Sequence, residues 1–341
     1  MPSARIDAAA ERERSVFVHE ILDPTGDSLQ WLESRGVRVQ RGVTTWSAET
    51  LSEDELIEAG QGHVALMGAS THRITRRVIE ELPHLAFISK YGIGVDAIDV
   101  EAATEHGVLV TNTPIVENVE AVAEYTLAAM LALRKQFLFY TPDRMRSGGW
   151  RTPDAWSDFL WHRTIGIVGF GRIGRAVARR LQGWDVEILV FDPYADVQEV
   201  GVRQTDLKEL LTMSDVVTLH AVATDQNTHM IDASALSLMK DTAVLINSAR
   251  GALVDMDALF DALSSGRLAG AALDAYDSEP PNIGHPIFAL PNVIATPHAS
   301  AWVKETFQRI SQVGAENVWA CMSGMRPEYA VNLDVLTRGK L

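Results

Sequence analysis

Over the first third of the chain, short apolar runs alternate with amphipathic stretches. Val16-Phe17-Val18, Val64-Ala65-Leu66-Met67, Ala86-Phe87-Ile88 and Val108-Leu109-Val110 have the length of buried strands, and residues 53–59 have helical spacing. Such alternation predicts an α/β layer. Residues 117–136 then read as one long, strongly apolar helix. Its Ala121, Val122, Tyr125, Ala128, Ala129 and Ala132 make a small-residue face suited to close packing, in a core or against a second subunit. The period is lost over residues 141–163, a Gly/Pro/Trp-rich stretch carrying Trp150, Trp156 and Trp161, which predicts a long ordered loop. Beyond it, strands and helices alternate again at 164–168, 173–181, 187–191, 207–211, 216–219, 235–239, 243–246, 256–266 and 270–273. That succession predicts a doubly wound parallel sheet.

Composition narrows the class. At 341 residues, with about 100–200 residues per domain, the chain should form two domains with a cleft between them. Hydrophobic residues at 47% and charged residues at 22% predict a folded chain. A formal charge of −15 repels polyphosphates, and no basic patch is visible, which argues against nucleic acid as a partner. The single cysteine, Cys321, has no disulfide partner and no companions at metal-ligand spacing. It reads as a small buried side chain in a reducing compartment, and no metal is expected. Residues 1–14 lack the apolar segment of a secretory signal, and the longest apolar run, 125–133, is too short to span a bilayer. The expectation is a cytoplasmic protein with no membrane association and a flexible extension before Ser15.

Chemistry enters where the strand Thr164-Ile-Gly-Ile-Val168 runs into Gly169-x-Gly171-x-x-Gly174 and continues as the helix Arg175-Ala-Val-Ala-Arg-Arg-Leu181. Gly169 permits a tight turn, Gly171 lets the backbone approach a pyrophosphate, and Gly174 lets helix and strand touch. The helix start supplies oriented N–H groups for the anion. Asp192 ends the next apolar strand, where a carboxylate accepts hydrogen bonds from the adenosine ribose and repels a 2′-phosphate. NAD is therefore expected rather than NADP. The motif lies mid-chain, so another α/β segment precedes the cofactor domain.

Three further segments follow: Ile246-Asn-Ser-Ala-Arg-Gly251, Leu273-Asp-Ala-Tyr-Asp-Ser-Glu-Pro280 and Ala295-Thr-Pro-His298. In that order they resemble the D-isomer-specific 2-hydroxyacid dehydrogenase family, in its phosphoglycerate dehydrogenase and hydroxypyruvate reductase branch. Lys90-Tyr-Gly-Ile-Gly-Val-Asp96 and Val110-Thr-Asn-Thr-Pro114 look like that family's substrate loop and hinge, so the resemblance spans nearly the whole chain. It implies two Rossmann-like domains: a substrate domain of residues 1–111 plus 299–341 and an NAD domain of 112–298, hinged near 111–114 and 296–300. By position, Arg250, Glu279 and His298 match the catalytic Arg, Glu and His. Hydride transfer to a ketone builds charge on its oxygen, and a histidine near neutral pH supplies the proton. A neighbouring carboxylate orients the imidazole and favours its protonated form. Arg250 suits a planar carboxylate, which it can grip with two parallel bonds. Tyr91, Gly92, Ile93 and Gly94 are the expected substrate loop, the glycines offering backbone N–H groups. The same carry-over sets Arg172 and Ile173 at the pyrophosphate, His220 and Ala221 along the cofactor, and Asp274 at the nicotinamide amide. Ser248, Ala249, Ser300, Arg250 and His298 complete the cofactor set.

The pattern departs from the family in places. Ala69-Ser70 stands where phosphoglycerate dehydrogenases carry Arg-Ser, the Arg holding a substrate phosphate, and His72 and Arg73 nearby read as exposed residues opening a helix. Ending at Leu341, the chain leaves no room for the regulatory domain that some of them append. Val222 replaces a common Pro, and His162 a usual Gly. Formate dehydrogenases of the superfamily pair the histidine with Gln, which Glu279 argues against. The remaining histidines, His19, His63, His84, His106, His229 and His285 with His162, read as structural or solvent-facing. The resemblance leaves a second reading, an NAD-sensing regulator or corepressor without turnover. It also implies a homodimer built on residues 117–136, with Trp150 and Arg151 reaching toward the partner's active site.

Overall fold

The computed structural model describes residues 14–45, 51–69, 72–150 and 156–335. The expected N-terminal extension, Ser70 and Arg151 lie outside them. The chain divides into two compact units, with cuts between Asn118 and Val119 and between Ala301 and Trp302.

In the first unit, β1 (Ser15–Ile21), β2 (Arg38–Thr44), β3 (Ala65–Gly68), β4 (Phe87–Lys90) and β5 (Leu109–Thr111) form a parallel sheet in the order β2-β1-β3-β4-β5. Side chains alternate across a strand. Val16 and Val18 therefore join one core with Phe307, Ile310 and Val313 of the C-terminal helix Lys304–Met322, while Phe17 joins another with Leu56, Val78 and Ile79. Burial on both faces is why these strands read as unbroken apolar runs. Helices α1 (Asp27–Glu33), α2 (Glu53–Gly60), α3 (Arg76–Glu81) and α4 (Val100–Glu105) connect them. A capping box of Ser52 and Glu55 starts α2, and the side chains of Thr75 and Asp99 cap α3 and α4. His72 corrects its expectation. It is 3% exposed and enclosed ahead of the helix, whereas Arg73 is exposed.

The second unit contains β6 (Thr164–Val168), β7 (Glu187–Phe191), β8 (Val202–Gln204), β9 (Val216–Leu219), β10 (Val244–Asn247), β11 (Gly270–Leu273) and β12 (Val293–Ala295). They form a parallel sheet in the order β12-β11-β10-β9-β6-β7-β8. The strand order reverses between β6 and β9, and the crevice outside the carboxyl ends at such a point is where doubly wound sheets bind ligands. Helix α5 (Val116–Arg134) carries the first cut and buries Ala121, Val122 and Ala129. The stretch expected to be a loop contains a short helix, α6 (Pro142–Arg146), because Thr141 caps it and proline tolerates the first helical position. Helices α7 (Arg172–Leu181), α8 (Leu207–Met213), α9 (Ala233–Leu238) and α10 (Met256–Ser264) follow, with aspartate caps at 206, 232 and 255 for the last three. Among the described residues, no helix is long and apolar enough to cross a membrane.

Helix α7 rests on β6 because position 174 lacks a side chain: a Cβ there would lie 2.2 Å from the Gly169 carbonyl oxygen. Gly174→Ala should therefore cost about 1–3 kcal/mol of stability and lower the thermal midpoint. Differential scanning calorimetry checks this, and an unchanged midpoint would show that the contact is not tight.

Candidate active site

The crevice between β6 and β9 is built from backbone. Gly169 turns the chain at φ 91°, a conformation costly for other residues. A Cβ on it would meet the Ala221 nitrogen at 2.4 Å, so the loop after β6 lies directly on the one after β9. Gly171 opens α7 without a side-chain cap, and a Cβ there would meet nothing within 4 Å. The first-turn residues Arg172 and Ile173 remain solvent-accessible. An uncapped, open helix start is a ready anion site. Asp192, beyond the end of β7, accepts from the Phe170 N–H at 2.7 Å and from the N–H groups of Tyr194 and Ala195, which fixes its carboxylate against the glycine loop. His220 Nε2 lies 3.0 Å from Thr218 Oγ1, and its Nδ1 has no partner among the described residues. Burial lowers the ring to about 3, so it is neutral. These groups fit a dinucleotide: open N–H donors for the pyrophosphate, a carboxylate for the ribose, and an uncharged wall beside them.

Three loops on the neighbouring strands hold the catalytic candidates. After β10, Asn247 Nδ2 donates to the Arg250 carbonyl and its Oδ1 accepts from Ala249 N, shaping the turn that presents Arg250. One guanidinium nitrogen of Arg250 donates to the Ala249 carbonyl at 2.7 Å. Gly251 allows this turn to press on the loop after β11, since a Cβ would lie 1.9 Å from the Tyr276 carbonyl carbon. In that second loop, Glu279 Oε1 accepts from Tyr276 N at 3.2 Å, and Oε2 sits 2.7 Å from His298 Nδ1. Burial would raise the Glu279 carboxyl, but the hydrogen bond from His298 and that ring's charge, with Tyr276 N–H and Arg250, hold it below the ordinary carboxylate range. His298 is about half exposed and stands at φ 52°.

The third loop is fixed from behind. Asp274, 1% exposed, accepts from Thr296 Oγ1 at 2.6 Å, Ala299 N at 2.7 Å and Ser300 N at 2.9 Å. Tyr276 Oη lies 3.1 Å from the Leu273 carbonyl oxygen and 3.0 Å from that of Thr296, its one proton shared between them, and Tyr125 Oη lies 2.6 Å from Thr296 Oγ1. Asp274, expected at the cofactor amide, also holds the segment that carries His298. Ser300 is buried through its bond to the same carboxylate, and Ser248 Oγ is 3.4 Å from Thr126 Oγ1. Sequence reasoning quoted Asn247, Tyr276 and Thr296 within its motif segments and Tyr125 on the long helix but gave none of them a role, since bracing a loop from behind leaves no spacing signal.

In the first unit, the expected substrate loop divides. Tyr91 is corrected: its ring is buried in the core beside Gly314, its N–H donates to the Gly68 carbonyl, and its own carbonyl accepts from Lys90 Nζ. Gly92, at φ 92°, spends its N–H on Thr113 Oγ1, and Asn112 Nδ2 donates to the Ile93 carbonyl at 2.7 Å. The N–H groups of Ile93 and Gly94 have no partner among the described residues.

Residues 127–300 match the family described as D-isomer-specific 2-hydroxyacid dehydrogenase, NAD-binding domain. A glyoxylate reductase from Thermofilum pendens is 39% identical over 296 residues, 84% of this chain and 86% of the relative. A D-3-phosphoglycerate dehydrogenase from Methanocaldococcus jannaschii is 35% identical over 94% of this chain, which spans 60% of that relative's length. Among solved structures, D-lactate dehydrogenase from Aquifex aeolicus, complexed with NAD and lactic acid, superposes with a TM-score of 0.80 at 28% identity, covering 95% of this chain and 98% of that one. With a matched family domain over half the chain and a relative 39% identical over 84% of it, this chain belongs to the D-isomer-specific 2-hydroxyacid dehydrogenases and is an NAD-dependent oxidoreductase acting on CH–OH donors.

Proposed function

We propose that the chain reduces a short, unphosphorylated 2-oxo acid to its D-2-hydroxy acid, with His298 as proton donor, Glu279 orienting it, and Arg250 gripping the substrate carboxylate. The 2.7 Å contact between His298 Nδ1 and Glu279 Oε2 carries this reading. With Nδ1–H tied to an ionised carboxylate, Nε2 is the edge left to meet a substrate oxygen. When bound, the nicotinamide cofactor supplies the hydride. The residues do the rest: His298 Nε2 gives its proton to the oxygen at C2, and Arg250 draws charge toward the carboxylate beside it. The N–H groups of Ile93 and Gly94 are assigned to that carboxylate as well. The second unit is assigned as the cofactor domain and the first as the substrate domain. Ala69, in place of an Arg, supports an acid without phosphate. The regulator reading has no observation in its favour. A reducing cytoplasmic setting suits Cys321, whose buried thiol is pushed up to about 12.

Stopped-flow NADH oxidation with glyoxylate tests the roles. His298→Asn should lower kcat/KM by about 10²–10⁴-fold while NADH affinity, read by fluorescence, stays within about twofold of wild type, a tolerance set by the ~1 kcal/mol context scatter of such contacts. Arg250→Lys, which loses the planar fork, should raise KM as well as lower kcat. Unchanged turnover in His298→Asn would refute the assignment.

We also propose a homodimer formed through the long helix at 117–136 and the exposed aromatic side chains that follow it at 137–150 and 156–161. Phe137, Trp150, Trp156, Phe159 and Trp161 are each more than half exposed, an apolar concentration that monomers seldom leave open. Light scattering should return twice the 37.4 kDa chain mass, and Trp156→Glu with Phe159→Glu should halve it. A monomeric wild type would contradict the proposal.

A further inference from the structure

In the second unit, a cation is held closed beside the carboxylate suited to the adenosine ribose. Arg175 lies in the first turn of α7, directly after Gly174, and its guanidinium meets the stretch that follows β7. There it forms an ion pair with Glu199, and its other terminal nitrogen donates to the Asp196 carbonyl at 3.2 Å. Glu199 also accepts from the Gln198 N–H at 3.1 Å, and its carbonyl accepts from Val202 N. The fork of Arg175 is thus occupied by residues 196–199.

Phe170 sets this pair against Asp192. Its N–H donates to Asp192 Oδ2 at 2.7 Å, and its ring lies beneath the Arg175 guanidinium, with 4.5 Å between the ring centroid and Cζ. Carboxylate and guanidinium therefore flank one residue of the glycine loop. Asp192 also accepts from Tyr194 N and Ala195 N, so the loop from 192 to 199 is fastened at both ends. Between residues 181 and 202 the sequence has no Lys or Arg, while carboxylates stand at 185, 187, 192, 196 and 199. A cation for this edge of the crevice has to come from α7.

We propose that Glu199 is a determinant of cofactor selectivity: it occupies Arg175, the cation placed to pair with a 2′-phosphate, and so reinforces the preference for NAD that Asp192 favours. An Arg near the ribose carboxylate is the group that accommodates a 2′-phosphate in dinucleotide sites, because its planar fork matches the phosphate oxygens. With that fork on Glu199 and the Asp196 carbonyl, Arg175 offers such a phosphate no donor, and Glu199 adds a second negative charge to that of Asp192. The two side chains of the pair are each about a third exposed, and ion pairs open to water contribute a factor of about five or less. The pair therefore withholds the cation without burying it, and loss of Glu199 leaves Arg175 able to turn to a ligand.

Fluorescence titration of NADH and NADPH, with no substrate present, tests this independently of the reductase reading. Wild type should bind NADH more tightly. Glu199→Gln should tighten NADPH about fivefold and leave NADH nearly unchanged, and adding Arg175→Ala to that variant should cancel the gain. The gain should also shrink as salt is raised, since the charges involved are exposed to water. NADPH affinity unchanged in Glu199→Gln would overturn the proposal. So would a gain that survives Arg175→Ala, which would show simple repulsion by Glu199, or a parallel change in both cofactors, which would show a pair that only shapes the loop.

Discussion

The candidate site depends on one buried carboxylate. Asp274 lies at the carboxyl end of β11, nearly without solvent, and would be costly there unless its oxygens were satisfied. Three donors from residues 296–300 satisfy them, and the same bonds hold the segment that carries His298. His298 occupies the left-handed backbone region, which costs a non-glycine residue about 1–3 kcal/mol. Hydrogen bonds to a charged group contribute about 1.5–3 kcal/mol each, so the three outweigh that strain. The imidazole thus reaches Glu279 from a backbone fixed independently of the contact between the two side chains.

Much of this was legible because it is dictated by backbone geometry. Gly169 and Gly174 stand where a left-handed turn and a close helix–strand approach admit no side chain, so a spaced glycine pattern reports them directly. The strands buried on both faces, β1, β3, β4, β6 and β9, appear as apolar runs for the same kind of reason. The exposed strand β2 escapes notice since Arg38, Gln40 and Arg41 give it a polar pattern, and β8 and β12 are three-residue edges whose pairing is a tertiary fact. Asp274 and Tyr91 were assigned to ligands by family position. Their burial and internal bonds arise from contacts with segments distant in sequence. Nor does sequence mark His72 as enclosed, because only the missing side chain at Gly68 admits His19 beside it.

The two units follow one design. Each is a doubly wound parallel sheet with a glycine-rich loop at the carboxyl ends of its strands, Gly92 and Gly94 in the first and Gly169 to Gly174 in the second. Each also holds a neutral imidazole at its switch point, the buried His19 and the partly buried His220 respectively. The proposed catalytic loops instead carry charged groups, Arg250 and Glu279.

The central claim, that the contact with Glu279 aims His298 Nε2 at the substrate oxygen, is tested most directly by kcat/KM for glyoxylate reduction in wild type and Glu279→Ala. Glu279, held below its usual range, stays ionised across neutral pH, so its contact with His298 Nδ1 is charge-assisted. Losing that contact should lower kcat/KM by about 10-fold or more with NADH affinity unchanged. Turnover in Glu279→Ala equal to wild type would contradict the account.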